Sequence, residues 1–501
     1  MNDGGAAHIA FFSLPGHGHV NPALGVVEEL TARGHRVSFA ATDRFAGAVS
    51  EAGAELVRYE STMDGLPVKD DAAGRADRFG SGDLAAVLLD LLRETLAVLA
   101  PLDRAFAADR PDVVVYDDPS GWAARLVAAR RGIPAVPYRT TFAAGPDWSL
   151  GRHRTDVDPA APEIVRVYHG IARLLARLNV AIEPAELMAG SESGPALVFV
   201  PREFQFRGET FGEDVHFAGP CLARRAGDGD WSRAGGAGRD RPLVYVSLGT
   251  IHNDNAAFFR SCAEAFAGLP WDVVMAVGDQ VGAEVLADVP AQVEVRRHVP
   301  QLRVLREADL FVTHGGMGSV MESLSFGVPM VAVPQMSEQR ANADRVVELG
   351  LGVLLRRDRV SSEALRGAAL EVLGGASYAE RAGWMRGRIA ASGGAPPPRT
   401  SSNRWSYGNG CRGERVLADR HPRVLRRSAR AVRTLAHDSG PPPGTQSAGL
   451  GLLARHPPRR GQGGAGRPPV LQGPPARPAR PLRGRIRRDR NGQLLPPAGQ
   501  Q

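Results

Sequence analysis

Between His8 and Leu349 one pattern is written twice: a short apolar run, a turn, then a segment with apolar residues at helical spacing. The first array holds the runs HIAFFSL (His8–Leu14), HRVSFAAT, DVVVYDD (Asp112–Asp118) and IPAVPYRT. Helix-like segments separate them: Val20–Arg33 closed by Gly34, about 43–52, a long one from Leu84, and GWAARLVAARRG. The second array runs PLVYVSLGT, a helix near Asn255–Gly268, WDVVMAVG, QVEVRRHVPQ and ADLFVTHGG. It continues with a helix from about Met317, the run PMVAVP, and a helix over about Glu338–Leu349. Apolar runs this short and continuous suit strands buried on both faces, and parallel strands need crossover helices between them. The pattern predicts an α/β protein of two Rossmann-like domains facing across a cleft. The expected segments are 1–220, a linker over 221–241 rich in Gly, Ala and charge, 242–394, and a tail over 395–501.

The chain of 501 residues has a formal net charge of +7, but the sign belongs to the tail. Residues 395–501 hold 21 arginines, 4 acidic residues and no lysine, whereas residues 1–394 hold 40 basic and 50 acidic residues. A nucleic-acid partner would rest on the tail alone, whose one Trp and one Tyr leave little to stack on bases, so none is expected. Stretches such as RHPPRRGQGGAGRPP carry no apolar period. The tail therefore reads as disordered, or as an out-of-frame reading of GC-rich coding sequence. Cys221, Cys262 and Cys411 form no CxxC or Cys/His pattern, which argues against a disulfide scaffold or a structural zinc. The most apolar helical stretch, LAAVLLDLLRETLAVLAPL, is interrupted by Asp90, Arg93 and Glu94, while a membrane span needs about 20 nearly uncharged residues. The N-terminus has no signal-peptide pattern, and the expectation is a cytoplasmic protein without a membrane span.

The densest chemistry lies in VTHGGMGSVMESLSFGVPMVAVPQMSEQRANADRV, Val312–Val346. The turn His314-Gly315-Gly316-Met317-Gly318-Ser319 opens a helix, where free N–H groups and the helix dipole attract anions. Glycine there lets a phosphate approach the backbone closely. Ser319 adds a hydroxyl, His314 a donor, and Glu322 sits one turn on, placed for a ribose diol. The glycines alone would fit an ordinary β-turn-α; the whole stretch, with the polar loop Glu338-Gln339, favours a nucleotide site. SLGT (Ser247–Thr250) follows the first strand of the second array, at the strand end where such sheets bind ligands. In RHVPQ (Arg297–Gln301), His298 can stack on a base while Val299 and Gln301 offer backbone groups to it.

Taken together, GHGHVNP near the N-terminus, RHVPQ, THGGMGSVMESLSFGVPMVAVP and EQRANA are highly specific in this order and spacing. Residues from about 8 to 393 resemble the GT1 glycosyltransferases, of the bacterial macrolide glycosyltransferase type with a GT-B fold. The resemblance implies an inverting, metal-independent enzyme that moves a sugar from a nucleotide diphosphate to a hydroxyl of a small natural-product acceptor. It implies no cofactor, the nucleotide sugar being a co-substrate. It also implies that His314, Gly316, Gly318 and Ser319 hold the pyrophosphate, Glu322 the ribose, and His298 and Gln301 the base. Many relatives carry Trp where His298 stands. Glu338-Gln339 takes the place of the acidic residue–Gln pair that binds sugar hydroxyls, with Glu where Asp is commoner. The charge of the leaving diphosphate would be met by Gly318-Ser319 and by the loop from Ser247 to Thr250.

An acceptor hydroxyl has a pKa far above 7 and needs a base within hydrogen-bond reach. Imidazole is mostly neutral at pH 7 and can take that proton, and a carboxylate on its other nitrogen would fix the tautomer. DVVVYDD offers Asp117 and Asp118 for that part. In the resembled family the base is the histidine before Val-Asn-Pro, here His19, and its partner falls on Asp117. Asn21-Pro22 reads as a helix cap followed by a first-turn proline, which would place His19 just ahead of the helix. His17 reads as structural, and with no further ligands nearby the pair His17/His19 is not expected to bind metal.

The expected reaction is sugar transfer, glucose from UDP-glucose first, to a hydroxyl of a macrolide or phenolic aglycone. The alternatives are a TDP-deoxysugar transferase of a biosynthetic pathway, a sugar-nucleotide epimerase, and an impaired glycosyltransferase-like protein. The last follows if the tail has displaced the family's final helix, which crosses back onto the N-terminal domain.

Overall fold

The computed structural model describes residues 6–63, 79–118, 120–145, 147–190, 194–222, 231–233, 241–249, 255–281 and 288–393. The expectations for Thr250, for Cys411 and for the tail over 395–501 fall outside these residues.

The first array folds as β1 (His8–Phe12), α1 (His17–Ala32), β2 (Arg36–Ala41), α2 (Ala46–Glu51) and β3 (Glu55–Arg58). It continues through β4 (Phe79–Gly80), α3 (Ser81–Ala108), β5 (Val113–Asp117), α4 (Trp122–Arg131) and β6 (Ala135–Arg139). Then come α5 (Leu150–Arg154), β7 (Thr155–Asp156), α6 (Pro162–Leu178), α7 (Pro184–Ala189), β8 (Ala196–Val198) and β9 (Val215–Phe217). The second array is β10 (Leu243–Ser247), α8 (Ala256–Phe266), β11 (Asp272–Ala276), β12 (Val293–Arg296), α9 (Gln301–Glu307) and β13 (Leu310–Thr313). It ends with α10 (Met317–Ser325), β14 (Met330–Ala332), α11 (Ser337–Glu348), β15 (Gly352–Leu354), α12 (Ser362–Gly374) and α13 (Ala376–Ser392).

Among the described residues the strands form one parallel sheet of order β3-β2-β1-β5-β6-β8-β9 and a second of order β12-β11-β10-β13-β14-β15, besides a small parallel pair of β4 with β7. Both faces of each sheet are covered, so β1, β5, β10 and β13 are buried along their whole length. Helix α1 shows why a single stripe suffices on the outside: Val20, Ala23, Leu24, Val27 and Leu30 recur at helical spacing and are all buried. Strand order reverses between β1 and β5 in the first sheet and between β10 and β13 in the second. At such switch points the neighbouring helices leave to opposite faces and open a crevice at the strands' carboxyl ends.

Three expectations need adjustment. Helix α1 begins at His17 with Gly16 as its N-cap, so Asn21 and Pro22 lie inside the helix and His19 sits in its first turn. The amide of Asn21 is thus a helical donor rather than a cap, and Pro22, which follows the first intrahelical bond from Val20 N to the Gly16 carbonyl, costs the helix one hydrogen bond. The stretch 145–190, whose sequence shows little recognisable pattern, contains α6, whose Ile164, Val167, Ile171, Leu174 and Leu175 form one buried face. Of the expected linker, Trp231 is buried in a core cluster that takes in residues of both domains, Phe204 and Tyr245 among them, and Arg233 pairs with Asp272. Cys221 and Cys262 are buried free thiols, and burial alone pushes Cys221 up to about 12, so it is inert. No helix among the described residues is long and apolar enough to cross a membrane.

Candidate active site

The two crevices meet, with the start of α1 against α10 and α5 against α11. On the first domain's side, β1 runs into the turn that opens α1, and β5 ends at Asp117. Because β1 and β5 are hydrogen-bonded neighbours, the topology sets His19 beside Asp117 from 98 residues away. His19 Nδ1 lies 2.7 Å from Asp117 Oδ2; the carboxylate is buried and the imidazole is 39% exposed, open on its other edge. Burial pulls the His19 pKa down, but the charge and hydrogen bond of Asp117, together with the charge of Glu338, outweigh it and hold it above the ordinary 6.5.

Asp118, the other carboxylate offered by DVVVYDD, points away. It accepts hydrogen bonds from Arg139 Nε and Nη2 at 3.1 and 3.0 Å in a buried pair. The choice between the two aspartates follows from strand alternation carried one residue past the end of β5, which sends the 117 and 118 side chains to opposite sides. Gly121 is required beside them, since a Cβ there would stand 2.5 Å from the Asp117 carbonyl oxygen. His17 turns aside and meets the Phe45 ring edge-on at 5.2 Å between centroids.

The second domain's side is built on the ends of β10 and β13. The His314 imidazole lies in a slot between two glycines. A Cβ on Gly249, whose φ is +80°, would come within 2.7 Å of the ring, and one on Gly316 within 2.5 Å. Gly318 faces open space, as a residue under a phosphate would, and with Ser319 it lies in the first turn of α10. Ser247 is buried and its Oγ accepts the Gly249 amide at 3.2 Å.

Glu322 and Gln301 come together: Gln301 Nε2 donates to Glu322 Oε2 at 2.6 Å, while Tyr245 donates to Gln301 Oε1 at 3.0 Å. His298 stands apart on the rim, exposed, with Nε2 3.0 Å from Asp279 Oδ2. Glu338 opens α11 and accepts from Asn342 Nδ2 at 2.7 Å. The same amide donates to the Gly315 carbonyl at 2.9 Å. Burial pushes the Glu338 carboxyl up, and the Asn342 hydrogen bond and the charge on His19 reverse this only in part. Gln339 is buried and accepts the Gln335 amide at 2.8 Å. Among the described residues no three His, Cys, Asp or Glu side chains are gathered as a metal site would gather them.

Tyr245 and Asn342 are the site residues the sequence reading missed. Tyr245 looked like one more apolar residue of a buried strand. Asn342, fully buried one turn after Glu338, carried a signal: an amide at i+4 within an otherwise inward-facing stripe.

Residues 262–399 match the domain family described as erythromycin biosynthesis protein CIII-like, C-terminal domain. The demethyllactenocin mycarosyltransferase of Streptomyces fradiae is 40% identical over 393 residues, 77% of this chain and 84% of that protein. The oleandomycin glycosyltransferase of Streptomyces antibioticus is 36% identical over 403 residues, 77% and 88% of the two chains. The crystal structure of the kitacinnamycin glycotransferase superposes with a TM-score of 0.70 at 32% identity, covering 86% of this chain and all of that one. Two parallel-sheet domains meeting crevice to crevice, with these neighbours, are the architecture of a GT-B glycosyltransferase. The chain belongs to the GT1 family, among the bacterial macrolide-type glycosyltransferases that carry sugars from nucleotide donors to natural-product acceptors.

Proposed function

We propose that this protein transfers glucose from UDP-glucose, with inversion and without a metal, to a hydroxyl of a macrolide or phenolic acceptor. The observation that carries the reading is the 2.7 Å contact between His19 and Asp117 at the edge of the crevice facing the glycine turn. In this mechanism His19 takes the acceptor proton through its exposed edge while Asp117 stabilises the imidazolium. The acceptor oxygen attacks the anomeric carbon from the side opposite the diphosphate, and the C1–O bond to phosphate breaks. The departing charge is received by the free N–H groups at Gly318 and Ser319 and by the His314 side chain.

Glu338 and Gln339 support a donor rich in hydroxyls, since both are polar acceptors held at the start of α11. A TDP-deoxysugar is the second reading, favoured by the 40% identity to a mycarosyltransferase. Supplying UDP-glucose and a TDP-deoxysugar in turn, with macrolide and phenol panels, and following product by mass spectrometry decides between them. Turnover with the deoxysugar alone would overturn the glucose assignment. Transfer is expected to persist in excess EDTA; activity lost to the chelator and restored by Mg²⁺ would remove the metal-independent mechanism.

A further inference from the structure

Helix α11 has two ends with different partners. Its first turn carries Glu338, whose charge acts on His19 across the crevice, and the buried Gln339, and Asn342 ties that turn to the carbonyl of Gly315. One turn further on, Arg345 leaves its own domain altogether. Its Nε donates to the Phe204 carbonyl at 2.9 Å, and its Nη2 donates to the carbonyls of Glu203 at 2.9 Å and Gln205 at 3.1 Å. Glu348 holds the remaining edge of the guanidinium at 2.9 Å, and the Phe206 ring lies beneath it at 5.1 Å. Only 12% of the arginine side chain is exposed.

The segment it grips follows β8 of the acceptor-side sheet and is itself anchored inward. The fully buried Gln205 side chain accepts the Ala143 amide at 2.8 Å and donates to the Ala143 carbonyl at 3.1 Å. Residues 139–145 lead from β6 past the buried Asp118–Arg139 pair, beside the strand end that carries Asp117. A continuous run of hydrogen bonds thus joins the donor-side helix to the acceptor-side loop.

We infer that Arg345 is a positioning residue for glycosyl transfer, fixing the register of Glu338 and Gln339 against the His19 half of the crevice. Its guanidinium is committed to the carbonyls of Glu203, Phe204 and Gln205 and to Glu348. It acts by holding two rigid bodies at the separation in-line attack requires, where an error near 1 Å costs on the order of 10²-fold in rate. Its planar fork spans three successive carbonyls; a lysine ammonium keeps the charge but lacks that fork.

The inference rests on sugar transfer at this crevice, so the wild-type protein is assayed first: absence of transfer there fails that reading and not this one. With wild-type turnover in hand, Arg345→Met and Arg345→Lys are compared for kcat, for donor hydrolysis in the absence of acceptor, and for UDP and TDP binding by calorimetry. Both variants are expected to bind whichever diphosphate the wild type binds within twofold. Transfer should fall at least tenfold, and a larger share of consumed donor should go to water. Arg345→Lys preserves the packed stem, so it carries the test if Arg345→Met does not fold. Transfer within twofold of wild type in the variant assayed, or a parallel loss of transfer and diphosphate affinity, would overturn the assignment.

Discussion

A His19→Ala enzyme is expected to bind its nucleotide donor normally and to transfer the sugar between about 10² and 10⁴ times more slowly than wild type. The magnitude is that of removing a positioned general base, and the binding expectation follows from geometry. His19 belongs to the first domain, whereas the glycine turn and the Gln301–Glu322 pair belong to the second. The pH profile adds a second check. His19 acts as a base only when neutral, so kcat/KM should climb with pH and level off above the His19 pKa, which lies above 6.5. In Asp117→Asn the burial that lowers this pKa remains while the larger of the two charges that raise it is gone and only that of Glu338 is left. The climb should therefore shift to lower pH, and the plateau should drop because the imidazolium has lost its counter-charge. Full activity in His19→Ala would end the mechanism.

The second large effect concerns a glycine. Gly316 has φ −60° and ψ 140°, values that alanine adopts freely, so Gly316→Ala introduces no backbone strain. Its new methyl would nonetheless stand 2.5 Å from His314 Nε2. Gly249 closes the other side of the slot, so the ring cannot keep its place. Donor KM and the diphosphate dissociation constant are expected to rise at least about tenfold, the equivalent of one lost charge-assisted hydrogen bond. The unfolding midpoint should change little. Unaltered diphosphate affinity in calorimetry would show that His314 takes no part in holding the donor.

How far the sequence carried depends on the range of each signal. The two sheets were legible because strands covered on both faces must be apolar throughout, and a five-residue run such as Val113–Asp117 announces itself. The glycine turn and its helix were legible for the same local reason. The start of α1 lies elsewhere because Asn-Pro suits a cap and first turn, yet a preceding Gly16 with extended backbone opens the helix five residues earlier. Helix α6 was passed over although its apolar spacing is regular, because Pro162 and the charged residues between its apolar positions mask the period in a short window. What no local reading could supply was pairing at a distance. Sequence placed Asp117 and Asp118 side by side; strand parity and the β1–β5 register separated them, one to His19 and one to Arg139. The grip of Arg345 on residues 203–205 was invisible for a plainer reason: its acceptors are main-chain atoms, which have no letter in the sequence.

That last property has an evolutionary reach. A joint made of backbone carbonyls places no demand of its own on the side chains at Glu203 and Phe204, provided the Gln205 anchor to Ala143 keeps the chain on its path. Acceptor loops on one half and sugar-contacting residues on the other can then diversify independently while the two remain in step. Hybrids that splice halves from different relatives should stay active wherever the arginine and the course of that segment are preserved together.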